Sequence, residues 1–161
     1  MRIKNLIDED FINYKLPSMF IGSIKCGGKC CSEQNIPFSI CQNDEWRKLK
    51  ILNVDDLAII KRYLGNNLTK SIVFGGLEPF EQFEELIQFI HKLRIDFSCN
   101  DDVVIYTGYY ENEITKEISE LKKYENIVSK YGRYLINSNK KYDGVLGIYL
   151  ASENQYGERI S

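Results

Sequence analysis

"KSIVFGGLEPFEQFEELIQFIHKLRIDFSCNDDVVIYTGYY", residues 70–110, is the stretch on which the fold turns. Its opening "KSIVFGG" (70–76) reads as a strand stopped by two glycines. Pro79 then opens a helix that runs to about residue 95, since proline's fixed φ and missing N–H suit a first helical turn. Phe83, Leu86, Ile87 and Ile90 recur at helical spacing and form its apolar face. "DDVVIYTGYY" (101–110) is the next strand and its turn. Strand, helix and strand in succession make a βαβ unit, which implies parallel pairing.

The same alternation extends outward. "MFIGSIK" (19–25) is a strand that ends directly at Cys26. "NVDDLAIIKRYLG" (53–65) reads as a helix from an Asn53 N-cap to Gly65, with Val54, Leu57, Ile60 and Leu64 on one face. "ENEITKEISELKKY" (111–124) is a third helix with Ile114, Ile118 and Leu121 as its buried stripe. "NIVSKYGRYL" (126–135) and "DGVLGIYLAS" (143–152) supply later strands. The expected fold is α/β, one domain over residues 1–161, with a mainly parallel sheet. Right-handed crossovers should curl it into a partial (βα) barrel or an open wound sheet. In such sheets ligands bind outside the carboxyl ends of the strands. Four segments fall there: Cys26, then Gly75-Gly76-Leu77-Glu78, then Thr107-Gly108-Tyr109, and after the last strand Ser152-Glu153-Asn154-Gln155.

Composition narrows the function. The chain is 43% hydrophobic and 27% charged, which argues against disorder. Its 21 basic residues against 23 acidic ones leave no surplus to neutralise phosphates, so no nucleic-acid partner is expected. Acidic residues interrupt "MRIKNLIDEDFINYK" before a signal-peptide core can form, and no segment approaches the ~18 apolar residues of a membrane span. A cytoplasmic location is therefore the expectation, and with it reduced thiols.

Four of the five cysteines crowd into "KCGGKCCSEQNIPFSICQN" (25–43). An odd total and a reducing compartment suit a disulfide framework poorly. Structural zinc favours four ligands in paired half-sites. Here Cys26 and Cys30 are followed by adjacent Cys31 and by Cys41, and adjacent cysteines rarely grip one ion. That leaves three good ligands. The lone His91, on the second helix beside Lys92, reads as a solvated or half-buried helix residue. Three thiolates with one open position suit a [4Fe–4S] cluster in which one iron lacks a protein ligand. Spacing alone does not separate this from zinc. Cys99, remote from the loop, reads as a packing or loop thiol.

With these thiols at the end of the first strand, the chain resembles the radical S-adenosylmethionine (SAM) superfamily. Within it, the chain looks like the small activating proteins of anaerobic ribonucleotide reductase. Cys26-Gly-Gly-Lys-Cys30 matches the first half of their CxxxCxxC signature, and "CQNDEW" (41–46) resembles their third cysteine and the residues after it. "GGLEPF" (75–80) is similar to their GGEPL segment, "YTGYYENEI" (106–114) to their TGY strand end and helix. "YGRYL" (131–135) and "ASENQYGERI" (151–160) resemble the closing strand and the Ser-x-Asn-Gln segment. The order runs from about residue 18 to the C-terminus. The gap before the third cysteine is longer than in the family, Leu77 splits Gly-Gly from Glu78, and "NYKLPSM" replaces the usual Gly-x-Gly-Ile-Arg.

The resemblance implies a [4Fe–4S] cluster on Cys26, Cys30 and Cys41, with Cys31 spare and a Cys30/Cys31 exchange open. It implies SAM chelated at the open iron. Gly75 and Gly76 would then admit its methionine moiety, and Glu78 or exposed backbone carbonyls would receive its ammonium. Ile40 and Gln42 would lie by the adenine, Thr107 and Gly108 by the ribose or carboxylate, and Asn154, with Ser152 and Gln155, at the margin. Reductive cleavage would yield methionine and a 5′-deoxyadenosyl radical that takes hydrogen from a glycine of a partner. That partner is an anaerobic glycyl-radical enzyme, the ribonucleotide reductase large subunit, with electrons from a small reducing protein such as a flavodoxin. Another glycyl-radical enzyme or a peptide as target, and a non-enzymatic zinc module, stand as alternatives.

Overall fold

The structure is a computed structural model and describes residues 1–161. Its strands are β1 (Arg2–Ile3), β2 (Asn5–Asp10), β3 (Ser18–Gly22), β4 (Leu52–Asn53), β5 (Ser71–Gly75), β6 (Asp102–Tyr106), β7 (Ile127–Tyr131), β8 (Lys141–Asp143), β9 (Ile148–Leu150) and β10 (Tyr156–Arg159). Its α-helices are α1 (Lys29–Glu33), α2 (Asp44–Lys48), α3 (Asp56–Leu64), α4 (Phe83–His91) and α5 (Thr115–Leu121). The βαβ unit of residues 70–110 is present as expected: β5 and β6 pair in parallel, Ser71 opposite Asp102. A 3₁₀ turn, Pro79–Gln82, leads into α4, and a π turn, Lys92–Asp96, ends it.

Six strands form one mixed sheet in the order β10-β7-β6-β5-β3-β2. The four inner strands are parallel, and both edges are antiparallel. The sheet is therefore open, with two free edges and no barrel closure.

Period-two alternation divides the strand residues between two cores. Met19, Ile72, Val103 and Ile127 face α3, α4 and α5, where Ile60, Leu86, Phe89 and Leu121 cover them. Phe20, Val73, Val104 and Val128 face the other way and pack under Tyr14, Leu146, Leu150 and Trp46. One face is thus roofed by helices, the other by loops and the β8–β9 hairpin.

Three expectations change. Asn53 is not an N-cap: it pairs with Arg2 in the β1–β4 ribbon, and Asp55 caps α3 by accepting from Leu57 N at 3.2 Å. The buried stripe of α3 is Asp56, Ile59, Ile60 and Tyr63, while Leu57 and Leu64 are exposed. Two polar heads masked that stripe in the sequence. Asp56 pairs with Lys92 at 2.6 Å and Tyr63 donates to Asp101 at 2.6 Å. The strand expected over 143–152 is instead a separate hairpin, β8–β9. Asp143 stops it, accepting from Val145 N, Leu146 N and Gly157 N, an Asx turn typical of Asp-Gly. The last strand of the main sheet is β10, and the 152–155 segment reaches the rim by entering β10, antiparallel to β7.

Candidate metal centre

The ladder between β3 and β5 continues one step past the end of β3, as Ser23 N donates to the carbonyl oxygen of Gly75, the last residue of β5, at 2.9 Å. Beyond it the chain is strapped to the turn that follows β5. Ile24 N donates to Gln82 Oε1 (2.7 Å), Glu78 N to Lys25 O (2.9 Å) and Gly27 N to Glu81 Oε1 (2.6 Å). These bonds fix Cys26 at the carboxyl end of the sheet. Gly28, at φ 73°, then turns the chain into α1, which carries Cys30 and Cys31. Cys41 follows the 3₁₀ turn Phe38–Ile40.

All four loop thiols line one cavity of about 120 Å³, roughly ten times the room a single water needs. The strand ends supply its opposite wall: Gly76 and Leu77 after β5, Thr107 and Gly108 after β6, Lys130 and Gly132 at the end of β7. Cys31, read from the sequence as spare, therefore faces the same space as Cys26, Cys30 and Cys41. All five cysteines are free, and no three ligating side chains converge tightly enough to grip an ion as they stand. Burial pushes the Cys26 thiol up to about 11 and raises Cys30 and Cys31 as well, so these sulfurs carry protons at neutral pH, which a metal bound there would have to displace.

Of the other expected site residues, Gln42, Gly76, Thr107 and Gly108 line the cavity, whereas Ile40, Gly75, Glu78 and Asn154 do not. Ile40 is exposed on its turn. The two glycines make close approaches to this chain's own rings. A Cβ on Gly75 would meet the Phe20 ring at 3.1 Å, and one on Gly76, at φ 76°, the Trp46 ring at 2.9 Å. Trp46 also covers Gly22, so it seats α2 on the sheet end. Glu78 is buried with both oxygens engaged. Oε1 accepts from Phe80 N (3.2 Å) and Thr107 Oγ1 (2.7 Å), and Oε2 from Gly108 N (2.8 Å). Its place ties the ends of β5 and β6 together. Asn154 donates to Tyr110 Oη and Arg133 O, both at 3.0 Å, and its Oδ1 is buried without a partner. Gln155 reaches the cavity instead, donating to Gly132 O at 3.2 Å, and Ser152 is buried in bonds with Leu135.

Two cations on the cavity wall escaped the sequence reading. Lys130 is only 7% exposed, with one protein acceptor, Gly132 O at 3.1 Å. Burial pushes its ammonium down to about 8. Arg47 stacks on Phe38 at 3.6 Å, and its Nη1 is buried without a partner. No carboxylate lines the cavity. Four sulfurs facing two unneutralised cations suit an anionic, thiolate-held metal centre.

Fold and site together define an α/β protein whose cysteine-lined cavity sits at the carboxyl ends of the sheet's parallel strands. Residues 26–147, well over half of the chain, match the model of the 4Fe-4S single cluster domain family, and the chain belongs to that family. No curated protein and no solved structure gives a significant match. No helix is long and apolar enough to cross a membrane.

Proposed function

We propose that the chain is a SAM-cleaving activase that installs a glycyl radical on an anaerobic ribonucleotide reductase. The observation that carries this reading is the union of a cysteine loop and the carboxyl-end rim of a parallel sheet around one cavity. Cys26, Cys41 and one of Cys30 and Cys31 would hold a [4Fe–4S] cluster, leaving one iron for SAM. When bound, such a cluster supplies one-electron reducing power at the sulfonium of SAM. Gln42, Gly76, Thr107 and Gly108 border the space for the ligand, and Glu78 orders Thr107 and Gly108 from behind. The chain's own part is to bind, to orient and to exclude water. The glycine-bearing loop of the reductase and a flavodoxin-like donor are the partners this reading requires.

The test is anaerobic reconstitution to about four irons per chain, followed by reduction with SAM. Methionine release supports the reading, and a filled cluster that leaves SAM intact under reduction refutes it. Adding the reductase should then give a glycyl-radical signal by electron paramagnetic resonance.

The inward position of Cys31 favours a second reading, a cluster closed by all four thiols that serves electron transfer. Cys30→Ser and Cys31→Ser separate the two. If one variant keeps four irons and the other loses them, an iron is open. If both lose them, the cluster is closed.

A further inference from the structure

α1 is five residues long, has no side-chain cap and buries only Cys31. An isolated helix needs roughly 12–15 residues to persist in water, so α1 depends on anchors elsewhere. The strongest comes from Arg133, just beyond β7. Its side chain is 4% exposed, and its donors are taken up by two carboxylates and a carbonyl. Nε and Nη2 donate to the two oxygens of Glu33, the last residue of α1, each at 3.0 Å. Nη1 and Nη2 donate to the two oxygens of Glu113, each at 2.7 Å, and Nη1 also donates to Gly108 O. The guanidinium lies 5.1 Å from the Tyr110 ring centre and 5.6 Å from that of Tyr109. Gln34 adds a smaller tie, donating to Cys30 O (2.8 Å) and Tyr134 O (2.7 Å) while accepting from Ile136 N (2.9 Å).

We propose that Arg133 is a positioning residue: through Glu33 it holds α1 against the rim, so that Cys30 faces the cavity before any metal arrives. The proposal rests on the reading of this cavity as a cluster site. The fork geometry of arginine permits two bidentate pairs at once, which a lysine cannot form. One group thereby fixes both sides of a single contact. A Cβ on Gly108 would lie 3.1 Å from Cys30 Sγ, so the sulfur packs on the residue whose carbonyl Arg133 also holds. Glu113 is tied in addition to Lys29 on α1, so the acidic pair and the basic pair alternate across the junction.

The test uses the full chain, reduced and free of metal, so its outcome does not depend on cluster loading. Iodoacetamide alkylation rates are measured separately for each cysteine by peptide mass spectrometry in the wild type, Glu33→Gln, Arg133→Lys and Arg133→Gln. Glu33 is half exposed, so Glu33→Gln cuts the leg to α1 without stranding a buried charge, and it carries the test should Arg133→Gln fail to fold. Cys30 and Cys31 should react about tenfold faster or more in Glu33→Gln and Arg133→Gln, with Cys26, Cys41 and Cys99 unchanged. Arg133→Lys should fall between them and the wild type. Wild-type rates in Glu33→Gln, or equal acceleration of all five thiols, overturn the proposal. Iron uptake by the wild type decides the cluster reading on its own.

Discussion

Replacing Glu78 by glutamine alters how folding stability depends on pH, and the size of the change is set by where this carboxyl sits. Three donors favour its ionised form, yet burial outweighs them and pushes its pKa from 4.5 up to about 7. The folded chain therefore holds this proton more tightly than the unfolded chain does. Stability contributed by the neutral acid is complete below 4.5 and is lost as pH rises through about 7. A shift of this size corresponds to about 3 kcal/mol at ~1.36 kcal/mol per pH unit. Glutamine cannot titrate, and it leaves one of the three donors poorly paired, a pH-independent cost of about 1–3 kcal/mol. The melting temperature of the variant minus that of the wild type should thus climb with pH by roughly 6–12 °C, at ~2–4 °C per kcal/mol for a chain of this length. Circular dichroism melts of reduced, metal-free protein across that window measure it, and taking the difference removes groups that titrate in both proteins. A difference that stays flat with pH would refute burial as the dominant force on Glu78.

Other consequences can be checked on the same protein. Gly108→Ala places a methyl group 3.1 Å from Cys30 Sγ; it should cost about 1–3 kcal/mol by overpacking and speed Cys30 alkylation. Ile59→Ala should cost about 2–5 kcal/mol in denaturant unfolding and Leu57→Ala no more than ~0.5 kcal/mol, because Ile59 is buried and Leu57 exposed. Anaerobic iron loading at neutral pH should release about one proton per ligating sulfur, read in weakly buffered solution, since burial keeps Cys26, Cys30 and Cys31 protonated without metal. Absence of proton release would exclude these thiols as ligands.

The parallel centre of the sheet was legible because β3, β5 and β6 are apolar runs closed by glycine or Thr-Gly, and the pattern of α4 is strongly helical. The edges were not. β2 reads NLIDED, and its alternation is hidden because an edge strand turns polar groups to solvent. The α3 stripe was misphased because buried polar heads, Asp56 and Tyr63, do not count as apolar in a periodicity search. For the site, the crowding of cysteines pointed to the cavity, but adjacency gave no sign that Cys31, read as spare, lines it together with the other three. A short helix after a left-handed glycine aims both neighbours at one space. Arg133 was invisible because its partners, Glu33 and Glu113, come from segments whose meeting depends on tertiary structure. Lys130 did leave a signal. A lysine between Ser129 and Tyr131 in an inner parallel strand must be buried, and its alternation with Val128 sends it to the face opposite the helices.

The placement of Lys130 also says what kind of guest the cavity is built for. A buried ammonium with one carbonyl acceptor is unfavourable in the metal-free chain, and its lowered pKa expresses that cost. Arg47, from α2, adds a donor without a partner, Nη1, to the lining of the same cavity, while the nearby carboxylate, Glu78, turns its oxygens toward Thr107 and Gly108. A cavity meant to remain empty, or to take an apolar ligand, would gain nothing from this arrangement. Thiols that became thiolates on binding iron would bring negative charge into the space both cations line, and this would offset the cost of holding them there. The cations and the sulfurs are thus two halves of one electrostatic design. Lys130 on β7 and Arg47 on α2 supply the positive half, and the cysteine loop, tied down through Glu33 and Gln34, would bring the negative half with a bound metal.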